Sequence, residues 1–191
     1  MKKYFFYLIL LLFVLQIFAT VIWYYCPEKL LFLKYKTISP LKIEDIKKPV
    51  LFLTTHEDVQ KDCAIMCGEC NKANTKINIL AKYFYFSLQN IPLVTSYNKI
   101  LVKDKPNNLT EKCINLIKKN QSIMMMLHSN NKKKGLYYIL KATKIPIVFC
   151  RMKQKNHREV TLEYEMYKDY DITLDRDEFV EMITKKLYQN L

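Results

Sequence analysis

Residues 122–148 read SIMMMLHSNNKKKGLYYILKATKIPIV, and the kind of fold follows from how this stretch is divided. Ser122 to Leu127 is a short apolar run of the length of a buried strand. A polar loop follows with His128, Ser129 and Asn130, then the lysine run Lys132-Lys133-Lys134. Lys134 to Thr143 reads as a helix, and Ile145 to Met152 as a second strand. Strand, loop, helix and strand in this order are the repeating unit of an α/β sheet.

Upstream, residues 49–62 (PVLFLTTHEDVQKD) carry the same signal. Val50 to Leu53 reads as a strand that delivers Thr54, Thr55 and His56 into a polar loop, with Asp62 six residues after the histidine. A buried strand ending beside a histidine and a carboxylate is where an α/β protein can hold a general base. On the residues alone the bland alternative stays open: Asp62 caps a helix, and His56 is a solvated loop residue.

Outward from these two stretches the alternation continues. Cys63 to Leu88 is mostly helical in character, Ile91 to Val94 short and extended, and Asn98 to Lys103 a strand. Thr110 to Lys119 has helical spacing, with Cys113, Leu116 and Ile117 as its apolar face and Thr110 as N-cap. Glu159 to Tyr167 reads as a strand, and Asp175 caps a closing helix that runs to Leu191. The expected architecture is α/β, a mixed sheet flanked by helices and preceded by one N-terminal transmembrane helix.

That helix rests on Tyr4 to Cys26, apolar apart from Gln16 and Thr20 and ending in Trp23, Tyr24 and Tyr25. About 20 apolar residues cross a bilayer's hydrocarbon core, and aromatic residues gather at its interfaces. The run is longer than the apolar region of a cleaved signal. Residues 1–26 are thus expected to be a membrane anchor, 27–48 a juxtamembrane connector and 49–191 the folded domain. Lysines dominate the downstream flank, which places the domain on the cytosolic side. The connector's lysines also suit anionic headgroups, although an ordinary linker would look the same.

Among its 191 residues the chain has 31 Lys+Arg against 18 Asp+Glu, a formal charge of +13 that favours anionic partners. Only two glycines occur, Gly68 and Gly135, which excludes a glycine-rich phosphate loop and a dinucleotide fingerprint. No G-x-S-x-G elbow and no H-E-x-x-H helix is present. Nucleic-acid binding has charge alone behind it and is not expected. Cys63, Cys67 and Cys70 in CAIMCGEC have the spacing of a thiolate cluster or zinc site, which His56 or His128 would complete. On a helix the same three share one face as small buried hydrophobes.

The order of elements resembles the membrane-bound glycerolipid acyltransferase family over roughly residues 38 to 160. The resemblance lies in Lys134-Gly135 before a helix, Ile145-Pro146-Ile147-Val148 opening the next strand, and Ile100-Leu101-Val102-Lys103 where the family has a strand ending in a basic residue. The 49–62 stretch falls where the family carries His-x4-Asp; here five residues separate His56 from Asp62. His128-Ser129-Asn130 stands where the family has Glu-Gly-Thr. The resemblance implies transfer of a fatty acyl group from acyl-CoA, a co-substrate, to a lysophospholipid or glycerol phosphate. His56 oriented by Asp62 would be the base, and Lys103, His128, Ser129, Asn130 and Lys134 would hold the acceptor's phosphate. It implies membrane lipids and acyl-CoA as partners, with no metal and no bound cofactor. A non-catalytic lipid-binding relative with the same fold, and less so a cysteine-ligated metal protein, are the alternatives.

Overall fold

The computed structural model describes residues 2–25, 34–47, 49–55, 62, 65–66, 68–70, 73, 77–82, 99–102, 108–129, 133–156 and 159–189. After helix α1 (Lys2–Tyr25) come strands β1 (Lys34–Thr37), β2 (Leu51–Thr55), β3 (Ile77–Lys82) and β4 (Lys99–Val102). Helix α2 (Leu109–Lys118), β5 (Ser122–Leu127), α3 (Gly135–Thr143), β6 (Ile147–Asn156), β7 (Glu159–Tyr167) and α4 (Arg176–Tyr188) complete the order. The described strands form one mixed sheet in the order β1-β7-β6-β2-β5-β3-β4. β6, β2, β5, β3 and β4 run parallel to one another. β7 runs antiparallel to β6, and β1 parallel to β7.

The central strands carry unbroken apolar runs, Leu51–Leu53, Ile123–Leu127 and Ile147–Cys150, because both faces of the sheet are covered there. Phe52, Met124, Met126, Val148 and Cys150 point to one face, where Ile43, Ile46, Ile65, Met66 and Cys70 meet them. Leu51, Leu53, Ile123, Met125, Ile147 and Phe149 point to the other. There α2 supplies Cys113 and Ile117, α3 supplies Leu136, Ile139 and Leu140, and α4 supplies Phe179, Val180, Ile183 and Leu187. Each set recurs at three- or four-residue spacing, the stripe with which a helix meets a sheet. α3 begins against α2: a Cβ at Gly135 would stand in van der Waals contact with Thr110 Oγ1, at 3.4 Å.

Most expected elements lie where the pattern puts them, with three differences. Ile77–Lys82, expected to be helical, is β3. Ile77 and Ile79 go into the core, and Asn78 Nδ2 donates to Ser122 O at 3.2 Å, so pairing with β5 overrides local propensity. The N-cap of α2 is Asn108, not Thr110, which lies inside the helix. The segment expected as connector enters the sheet: Lys34–Thr37 is β1, and Ile43 and Ile46 are buried in the core. Asp175 does cap α4, accepting from Asp177 N at 3.4 Å.

The first helix extends over 24 residues, and its large side chains from Tyr4 to Phe18 are exposed. Counted over the described side chains, which are continuous only from Tyr4 to Ala19, no helix is long and apolar enough to cross a membrane.

Candidate active site at the carboxyl edge of the sheet

Parallel α/β sheets bind ligands outside the carboxyl ends of their strands. In this sheet those ends stand level. Thr55, the last residue of β2, pairs with Leu127, the last of β5. Lys82 and Val102 close β3 and β4 as a pair, and Ile79 pairs with Met124, which brings Lys82 to the height of Leu127. His56 follows Thr55, His128 follows Leu127 and Lys103 follows Val102 in the chain. Three residues singled out from sequence thus leave one edge of one sheet, two of them from adjacent strands.

Side chains fix that edge from below. Thr54 and Thr55 are fully buried. Thr54 Oγ1 donates to Thr55 O at 3.2 Å, and Thr55 Oγ1 accepts from Met152 N at 3.3 Å. The β2–β6 pairing ends at Thr54 and Cys150, so the threonine hydroxyl carries the contact one step past the ladder. At the end of β5, Tyr188 OH donates to Leu127 O at 2.7 Å and Lys133 Nζ donates to Met126 O at 2.7 Å. Burial of these donors and acceptors is tolerated because each is hydrogen-bonded.

Of the other expected site residues, Asp62 is buried with helical backbone. His128 and Ser129 are exposed just beyond β5. His56, Lys103 and Asn130 lie outside the described residues, as do Cys63, Cys67 and the expected extended stretch Ile91 to Val94. Lys134 stands at the N-cap of α3, and its Nζ is 3.3 Å from Asp177 Oδ2 at the start of α4. Arg176 Nε meets the same carboxylate at 2.9 Å, and these two donors hold the Asp177 carboxyl below the usual range. Of the two described lysines in the run, it is therefore Lys133 whose ammonium reaches the strand end. The sequence offers only three adjacent lysines, and which one turns inward depends on where α3 starts.

Cys70 packs in the core beside Ile65 and Met66. Among the described residues no group of three or more His, Cys, Asp or Glu could hold a metal ion. Burial pushes the Cys113 thiol up to about 11 and the Cys150 thiol well above its ordinary value, so both are inert hydrophobes rather than nucleophiles.

Two polar clusters escape the sequence reading. Glu69 accepts from Tyr35 OH at 2.7 Å, Thr37 Oγ1 at 3.2 Å and Tyr164 OH at 3.3 Å, tying the helical stretch after Asp62 to β1 and β7. Arg151, buried on β6 level with Thr55, donates from Nε to Leu187 O at 3.0 Å and from Nη2 to Lys186 O at 2.9 Å. Nη2 also meets Glu165 Oε2 at 2.6 Å. Their partners are more than ten residues away in sequence, so spacing carries no trace of them.

No family model and no curated protein sequence matches this chain. Among solved structures, the fold is similar to the crystal structure of the 1-acyl-sn-glycerophosphate (LPA) acyltransferase PlsC from Thermotoga maritima. The TM-score is 0.57 at 12% identity, over 86% of this chain and 76% of that one. What this likeness establishes is an acyltransferase-like fold.

Proposed function

We propose that this protein is a membrane-anchored acyltransferase that moves a fatty acyl group from acyl-CoA to a hydroxyl of a lysophospholipid or glycerol phosphate. The observation that carries the reading is the level carboxyl edge, where β2 and β5 pair at Thr55 and Leu127 immediately before His56 and His128. The likeness to a lysophosphatidic acid acyltransferase fold supports it.

In this reaction His56 takes the proton of the acceptor hydroxyl as its oxygen attacks the thioester carbonyl. The carbon–sulfur bond then breaks, an ester forms, and coenzyme A leaves as the thiol after regaining a proton. Asp62 orients the imidazole; a carboxylate as buried as this one is stable only when paired or hydrogen-bonded. Lys133 at the end of β5, Lys103 after β4 and His128, Ser129 and Asn130 after β5 receive the acceptor's phosphate. Lys134 joins them only after leaving Asp177. No metal takes part.

The first helix serves as the anchor of a domain facing the cytosol. At about 1.5 Å per residue its length exceeds the roughly 30 Å of a bilayer's hydrocarbon core. Its exposed aliphatic and aromatic surface suits lipid. The domain it tethers takes in β1 as well as residues 49–191.

The test uses membranes carrying the full chain, labelled acyl-CoA, and lysophosphatidic acid, glycerol 3-phosphate or other lysophospholipids as acceptors. His56→Ala is expected to lower turnover by about 10² to 10⁴-fold, the usual contribution of a general base. Turnover equal in the wild type and the variant removes His56 from the chemistry. Absence of product with every acceptor favours a non-catalytic lipid-binding relative.

A further inference from the structure

The sheet does not end at the level of the candidate site. Because Thr54 pairs with Cys150, Thr55 stands level with Arg151 on β6, and Arg151 pairs with Glu163 on β7. The β6–β7 pairing continues past this level to Asn156 and Glu159. The four steps from Glu163 to Glu159, at about 3.3 Å each, carry the hairpin about 13 Å beyond the carboxyl edge. β1 runs antiparallel to β2, and its first residue, Lys34, pairs with Glu159 at the far tip of this extension. The chain coming from α1 therefore enters the sheet on the same side as the candidate site and at the most projecting point of the described strands.

This projection is basic and solvent-exposed. Lys36 pairs with Thr161, which pairs with Lys153, so the two lysines share one row and one face across β1, β7 and β6. At about 4.8 Å per strand their backbones lie about 10 Å apart. Lys34, Lys36, Lys153, Gln154, Lys155 and Asn156 are all exposed. The carboxylate among them, Glu159, accepts from Asn156 Nδ2 at 2.9 Å. Among the described residues none of the four lysines is ion-paired.

We propose that Lys34, Lys36, Lys153 and Lys155 form a ledge that rests on an acidic lipid surface and holds the carboxyl edge facing the bilayer at a fixed height. Charge complementarity selects the partner: exposed ammonium groups at one end of a sheet suit a plane of anionic headgroups. The entry of the chain from α1 at the same tip sets the direction. The ledge rests on the anchoring part of the proposed function and not on acyl transfer, so a chain without turnover would still show it.

The experiment is amine labelling of the full native chain in vesicles, read lysine by lysine by mass spectrometry. Vesicles of phosphatidylcholine alone are compared with vesicles containing phosphatidylglycerol, at low and high salt. An acidic surface keeps nearby amines protonated, so the four ledge lysines should react about three- to sevenfold more slowly, the Boltzmann factor of an acidic leaflet's surface potential. Lys144, which precedes the opposite edge of the sheet, should be unchanged, and high salt should remove the difference. Equal ledge reactivity in the two vesicle types overturns the proposal. So does protection by added RNA with neutral vesicles and none by acidic lipid. Lys153→Glu together with Lys155→Glu should restore labelling of Lys34 and Lys36 in acidic vesicles; continued protection of both also counts against the ledge.

Discussion

Replacing Arg151 by Met keeps most of the side chain's volume and its apolar stem but removes every donor. The side chain is 4% exposed, and its guanidinium bonds two carbonyls in the last turn of α4, Lys186 O and Leu187 O. It also lies 5.4 Å from the centroid of the Phe149 ring. The last carbonyls of a helix have no partner within it, although Lys186 O also accepts from the cap residue's Gln189 N at 3.3 Å, and a cation there is favoured by the macrodipole. A hydrogen bond from a charged donor contributes about 1.5–3 kcal/mol, so losing two costs about 3–6 kcal/mol. The carboxylates add little to this sum, because Glu163 and Glu165 are 44% and 38% exposed and regain water when the cation is gone. With a slope of about 2 kcal/mol per molar urea for a domain of this size, the midpoint should fall by about 2 M. Pulse proteolysis of the full chain in detergent micelles reads this directly, and Arg151→Lys should recover part of the loss by keeping the charge without the fork. A midpoint for Arg151→Met within about 0.3 M of the wild type would refute the assignment of α4's docking to these two carbonyls.

The other predictions use the same micelles. Glu69→Ala removes the acceptor of three hydroxyls and should cost about 1–3 kcal/mol, with Glu69→Gln between it and the wild type; an unchanged midpoint for the alanine variant would show the cluster to be incidental. Asp177 has a depressed folded pKa, so its contribution is present above the unfolded aspartate value of about 3.9 and is lost as pH falls through the lower folded value. Asp177→Asn should therefore flatten the decline of Tm below about pH 4, and identical Tm–pH curves would contradict this. The same substitution frees the Lys134 ammonium, and in the acyl-transfer assay it should lower KM for a phosphorylated acceptor while leaving kcat unchanged.

Much of the fold is legible in sequence because it is local. Val50–Leu53, Ile123–Leu127 and Ile147–Cys150 are apolar without alternation, as strands covered on both faces must be. The helices α2, α3 and α4 declare their apolar stripes, and Asp175 its cap. What sequence could not carry was pairing. Ile77–Lys82 has a composition that suits either state, and only the neighbouring β5 with its Ser122 carbonyl decides for a strand. Lys34–Thr37 looks like a lysine-rich linker until β7 offers it a partner 125 residues later along the chain, at Lys34 and Glu159.

The candidate site divides in the same way. By itself the sequence determined which residues leave strand ends, since a histidine or lysine closing an apolar run is a local fact: His56, His128 and Lys103. Tertiary structure alone decided that the strands carrying them end at one height, because register is fixed by packing two faces at once. It also decided that Lys133 turns to Met126 O while Lys134 turns to Asp177. Adjacent lysines are chemically equivalent in one dimension, and only the start of α3 against α4 makes Lys133 and Lys134 different.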